Sequence, residues 1–118
     1  MRKILYSPGY GAGWVSWYYG TDEQKRFMLE YAPFVAFVES GGVFPDDHSI
    51  DKAKLKAYPE VQQFLADWTA RFPDADKPYL GGLSGLTVER VPDGARVRID
   101  EHDGNESIVV ENSEEGWL

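Results

Sequence analysis

The sequence predicts a small α+β domain, and three observations carry that expectation. Apolar residues recur at three- and four-residue spacing through the middle of the chain, as in Val61, Phe64, Leu65, Trp68 and Phe72. Towards the C-terminus the period changes to two, with Val97 and Ile99 set against Arg96, Arg98 and Asp100. Two turn signals, Pro92-Asp93-Gly94 and Asp103-Gly104, cut that last passage into strands. The expected architecture is one small antiparallel sheet, an N-terminal strand plus a C-terminal three-stranded meander, with two to four helices packed on one face.

The elements follow in order. Lys3 to Ser7 reads as a short, largely buried strand. Ser7-Pro8-Gly9-Tyr10-Gly11-Ala12-Gly13-Trp14 comes next. Its proline and alternating glycines exclude regular helix or central strand. The chain is organised around this loop. Val15 to Tyr19 is either a short extension or a turn of helix. Thr21-Asp22-Glu23-Gln24 fits a capping box, with acids where the helix dipole favours them. Phe27, Met28 and Tyr31 give that helix an apolar face. Pro33 either kinks it or opens a second helix, which Gly41 ends. Ser49 is the expected cap of a short helix over Ile50 to Ala57. Pro59 stands at the first position of a longer one that Pro73 stops. Leu80-Gly81-Gly82-Leu83-Ser84-Gly85 is a second glycine-rich passage. Strands are expected over Leu86 to Val91, Ala95 to Glu101 and Ser107 to Glu111. In the first turn Pro92 is expected at the second position, with Gly94 left-handed. Ser113 to Gly116 reads as a polar tail, with Trp117 and Leu118 able to dock.

The chain has 118 residues, 42% of them hydrophobic and 14% aromatic, which suits a single domain over 1–118 with a real core. The formal net charge is −8. That balance speaks against direct nucleic-acid binding and against anionic membranes, and it permits a basic partner. With no cysteine there is no disulfide frame, no thiolate nucleophile and no cysteine-based zinc site. No apolar stretch is long enough to span a membrane, and no secretory leader precedes Pro8, so a cytoplasmic location is expected.

The first glycine loop admits two readings. It is a backbone cradle for an anion or nucleotide-like ligand, with Tyr10, Trp14 or Trp17 stacking on it, or it is a tight corner for close packing. Its spacing matches neither a Walker loop nor the dinucleotide fingerprint. The hairpin Glu101 to Ser107 gathers carboxylates and His102. It reads as a metal or acid–base cluster or as a solvated turn with polar strand ends, and the second is favoured. His48 reads as a surface position, and Lys52, Lys54 and Lys56 as a solvated helix face. No serine lies in a nucleophile elbow, so no catalytic residue, metal ligand or cofactor is assigned. If the first and last strands are neighbours, the loop and the hairpin meet. Ser7, Tyr10, Gly11, Gly13, Trp14, Trp17, Asp103 and Glu106 are therefore the candidate residues for a ligand or partner.

The opening Lys3 to Trp14, of the form K-x-L-x-S-P-G-Y-G-A-G-W, the later Leu80-Gly81-Gly82 to Leu86, and Asp103-Gly104-Asn105-Glu106-Ser107 resemble a family of small uncharacterised bacteriophage proteins. The resemblance covers both ends of the chain more than its helical middle. It departs from the pattern at His102, where an aromatic such as Tyr is expected. It implies a phage origin and carries no catalytic residues. The leading expectation is a non-enzymatic phage-type protein that binds and modulates a host protein through an acidic, aromatic-bearing surface. Glu89, Asp100, Glu101, Asp103, Glu106 and Glu111 are expected to supply the charge. The alternatives are small-molecule binding by the Gly9–Trp14 loop, and a structural, self-assembling phage protein.

Overall fold

A computed structural model describes residues 2–8, 13–45, 52–78, 80–102 and 104–111. Strand β1 (Arg2–Tyr6) leads, past the glycine loop, into a 3-10 turn at Val15–Trp17. Helices α1 (Asp22–Leu29), α2 (Ala32–Glu39), α3 (Lys52–Ala57) and α4 (Pro59–Arg71) follow. A second 3-10 turn, Leu83–Gly85, precedes β2 (Thr87–Val91), β3 (Arg96–His102) and β4 (Asn105–Glu111).

The fold is α+β, as the sequence predicts, but the strands do not form one sheet. β1 pairs antiparallel with β2, and β3 pairs antiparallel with β4, in two separate two-stranded sheets. The break falls between Val91 and Arg96. Pro92 has no N–H with which to extend the β2 ladder. It occupies the first position of the turn, not the second as expected, since the Ala95 N–H donates to Pro92 O at 3.1 Å. Gly94, at φ +77°, supplies the left-handed residue that the turn needs. The β3–β4 hairpin is thus free to leave the first sheet and reach the far end of β1. There the Glu106 N–H donates to Ser7 O at 2.9 Å.

The helix boundaries follow local chemistry. Thr21 Oγ1 accepts from the Gln24 N–H, and Gln24 Oε1 accepts from the Thr21 N–H, which closes the capping box at the start of α1. Pro33 does not kink α1. It lies in the first turn of α2, where its missing N–H costs nothing. At the end of α2, Gly41 takes φ +90°. The Gly42 N–H reaches Phe37 O at 2.9 Å and the Gly41 N–H reaches Val38 O at 3.0 Å, a Schellman ending that satisfies two carbonyls. Pro59 opens α4, and Pro73 directly follows its C-cap residue Phe72. The expected cap at Ser49, and also His48, Trp117 and Leu118, lie outside the described residues.

The core forms where the α1, α2 and α4 faces meet β1. Ile4, Leu5, Trp14, Met28, Leu29, Phe34, Phe64 and Trp68 are buried in it. Phe64 is the hub of the aromatic packing, with ring centroids 4.8 Å from Phe34, 4.9 Å from Tyr31 and 5.7 Å from Trp14. Burying one such ring contributes about 2–3 kcal/mol, and a good aromatic pair adds about 1 kcal/mol. The polar tips are satisfied. Trp14 Nε1 donates to Met28 O, and both Tyr18 Oη and Trp68 Nε1 donate to Asp76 O. At the sheet surface Lys3 and Arg90 stand directly opposite each other. Glu39 of α2 bridges them, accepting from Lys3 Nζ at 2.7 Å and from an Arg90 Nη at 3.1 Å. The helix thereby relieves a repulsive cross-strand pair. Both cations hold the Glu39 carboxyl below its ordinary value.

Candidate functional site

The two glycine-rich passages touch. A Cβ on Gly82 would stand 2.4 Å from Gly13 O and 2.9 Å from Trp14 Cα. Only glycine lets the two backbones lie this close. Gly13 is tight for a second reason, because a Cβ there would meet Ser16 Oγ and Trp17 Cδ1, each at 2.7 Å. From this crossing the chain sends Trp14 inward, where it is fully buried. It then makes the 3-10 turn and alternates. Tyr18 points into the core, while Trp17 and Tyr19 point out, 39% and 97% exposed.

Glu106 fixes this geometry. It lies in β4 just past the hairpin turn and is only 1% exposed. Its Oε1 accepts the Ser7 N–H at 2.8 Å. Its Oε2 accepts the Trp14 N–H at 2.8 Å, the Ser16 N–H at 2.9 Å and the Ser16 hydroxyl at 2.6 Å. Backbone amides converging on one anion form a nest, and here the anion is the protein's own carboxylate. Three amides and a hydroxyl replace the water that the charge loses on burial. The glycine loop is thus tied at both described ends to a strand 92 to 99 residues away.

Glu101 stands directly opposite Glu106 in the β3–β4 ladder and shares its face. The neighbouring pairs on that face, Ile99 with Ile108 and Val97 with Val110, are apolar. The hairpin therefore ends in two carboxylates on one side, one turned in and one turned out. Glu101 Oε1 accepts the Gly104 N–H at 2.6 Å and Trp17 Nε1 at 3.4 Å. These donors, the Gly104 amide first, hold the Glu101 carboxyl below its ordinary value. Ser16, Trp17, Tyr19 and Glu101 line a shallow depression of about 300 Å³. Its walls are two aromatic side chains and its acid is ionised at neutral pH, a pairing suited to cationic or amphipathic groups.

Ser7 and Trp14, at the described ends of the loop, meet Glu106 of the hairpin, but the candidate residues divide. Ser7 is buried, with its amide and carbonyl both engaged by Glu106. Trp14 was expected to stack on a ligand or anchor a partner; its ring belongs to the core, closed off by Phe34 and Phe64. Glu106 was expected to charge the surface of a solvated turn; it is internal because the loop amides bind it. Asp100 is paired with Arg98, whereas Glu89 and Glu101 are exposed. Gly13 is buried beneath Trp17, and Trp17 alone among the described candidates faces outward. Tyr10, Gly11 and Asp103 lie outside the described residues.

Ser16 and Tyr19 are not among the candidate residues for a ligand or partner. For Tyr19 the available signal was the run Trp17-Tyr18-Tyr19, whose alternation puts the outer two on one side once Tyr18 is known to be core. For Ser16 there was none, because its partner is so distant in the chain. Among the described residues no three of His, Asp and Glu converge on a point where a metal ion would sit, and no helix is long and apolar enough to cross a membrane. Compared with protein-family models, with curated proteins and with solved structures, the chain has no match.

Proposed function

We propose that the chain is a non-enzymatic binding protein of bacteriophage type, which occupies and modulates a host protein in the host cytoplasm. The observation that carries this reading is the outward pair Trp17 and Tyr19 beside Glu101. Large aromatics are costly to expose and are the usual anchors of interfaces. Here they stand on a loop locked by Gly82 below and Glu106 behind, so little order is lost on binding. A formal charge of −8 favours a partner with a basic surface, and speeds its encounter. The ligand-cradle reading of the glycine loop is weaker, because the amides of Ser7, Trp14 and Ser16 already hold a carboxylate.

The test is affinity capture from bacterial lysate with the tagged wild-type chain and with Tyr19→Ala in parallel. The expected result is a protein retained by the wild type, released by raised salt, and depleted at least fivefold by the substitution. Equal capture by the two chains would move the interface elsewhere. A wild-type chain that weighs in solution as a homo-oligomer and captures nothing would favour the self-assembling structural reading.

A further inference from the structure

The proposed partner surface names its ligand chemistry, an inference that rests on the reading just given. We propose that the depression between Trp17, Tyr19 and Glu101 receives a basic side chain of the partner, an arginine in preference to a lysine. Three features of the site converge on a planar cation. First, Glu101 is held in place through one oxygen only. Oε1 takes the Gly104 and Trp17 donors, while Oε2 accepts no hydrogen bond among the described residues and the side chain is exposed. An oriented carboxylate with an open oxygen accepts a guanidinium without first being ordered.

Second, no cation of the hairpin is the main partner of Glu101. Arg98 and His102 belong to the opposite face of β3 from Glu101; the Arg98 guanidinium lies on Asp100, and His102 favours the Glu101 anion less than the Gly104 and Trp17 donors do. Third, the remaining walls are aromatic. The indole edge of Trp17 is seated against Gly13, which fixes the ring, and the Tyr19 ring is almost wholly free to pack. Guanidinium groups stack on such faces and pair with a carboxylate at once, whereas an ammonium does the second but stacks poorly. An apolar anchor would leave Glu101 desolvated and unpaired, and an anion would be repelled by it.

The test uses N-acetyl-arginine amide as the probe and the full ¹⁵N-labelled chain. The readout is the Trp17 indole N–H cross-peak, identified by its loss in Trp17→Phe. A saturable shift is expected, with a dissociation constant on the order of 10 mM for one exposed side chain. N-acetyl-citrulline amide, the neutral isostere, should bind at least fivefold more weakly, and N-acetyl-lysine amide about twofold. Glu101→Gln, which keeps an acceptor for the Gly104 N–H, and Tyr19→Ala should each weaken the arginine probe at least fivefold with the remaining cross-peaks unmoved. Citrulline binding as well as arginine, or Glu101→Gln binding undiminished, overturns the proposal. Because this titration needs no partner, the two readings fail separately. Capture that depends on Tyr19 but not on Glu101 would keep the binding function and remove the cation receptor. A normal arginine titration with no captured protein would do the reverse.

Discussion

Ser7 and Glu106 hold each other twice. The Ser7 N–H donates to the Glu106 carboxylate at 2.8 Å, and the Glu106 N–H donates to the Ser7 carbonyl at 2.9 Å. Ser7 directly follows the first strand and Glu106 is the second residue of the last, so this pair joins the two sheets. The carboxylate also holds Trp14 and Ser16, and so sets which aromatics of the following segment go in and which stay out.

Glu106→Gln tests that role at almost constant shape. A glutamine has one acceptor and one donor end, and both carboxylate oxygens now face N–H groups. Either the Ser7 amide or the Trp14 and Ser16 amides would confront an NH₂. The expected loss is about 2 kcal/mol, rising to about 3 kcal/mol in Glu106→Ala, where every donor is left without its acceptor. Urea unfolding followed by tryptophan fluorescence measures it, and an unchanged midpoint would remove the nest from the account of stability.

Gly82 and Gly85 stand three residues apart and should behave differently. An alanine at 82 drives a methyl into the Gly13 carbonyl, a backbone atom that cannot step aside. Gly82→Ala should cost about 2–3 kcal/mol. At 85 the nearest atom is Ser7 Oγ at 3.0 Å, the end of a short side chain. Gly85→Ala should stay within about 1 kcal/mol of wild type. Thermal melts of the two variants side by side decide whether the glycine-rich passages are a packing contact.

Glu39 gives the acid arm of the pH profile. Its carboxyl titrates below the ordinary 4.5 in the folded chain, because Lys3 and Arg90 favour the anion. An unfolded chain takes up that proton first as the pH falls. The stabilisation is therefore complete above about pH 4.5 and disappears as the pH drops through the lowered folded value. Melting temperatures of wild type and Glu39→Gln should differ most near neutrality and converge as the pH falls through the lowered folded value of Glu39; parallel curves would exclude the bridge.

Tyr31 gives the alkaline arm. Its hydroxyl donates to Asp67 Oδ2 at 2.6 Å, and burial, then that bond, then the Asp67 charge raise its pKa above the ordinary 10.0. The unfolded phenol ionises first as the pH rises. Its contribution is complete below pH 10 and is lost on the way to the raised folded value. Tyr31→Phe should cost about 1 kcal/mol at pH 7 and progressively less above pH 10. Denaturant titrations at both pH values check this.

Local chemistry in the sequence determined most of the elements. The capping box at Thr21, the glycine ending at Gly41 and the prolines at 59 and 73 each act within one turn of chain, so spacing alone exposes them, whereas at Pro33 spacing left a kink and a new helix both open. The α4 stripe fixed the core face for the same reason. That the loop and the hairpin would meet was a conditional expectation, resting on the order of the strands. Only the tertiary structure decided the rest. It split the sheet at Pro92, placed Gly82 against Gly13, turned Glu106 in while leaving Glu101 out, and sent Trp14 to the core and Tyr19 to the surface. A carboxylate's character depends on which amides surround it. Those amides lie 90 to 99 residues away, beyond the reach of any periodicity or local propensity.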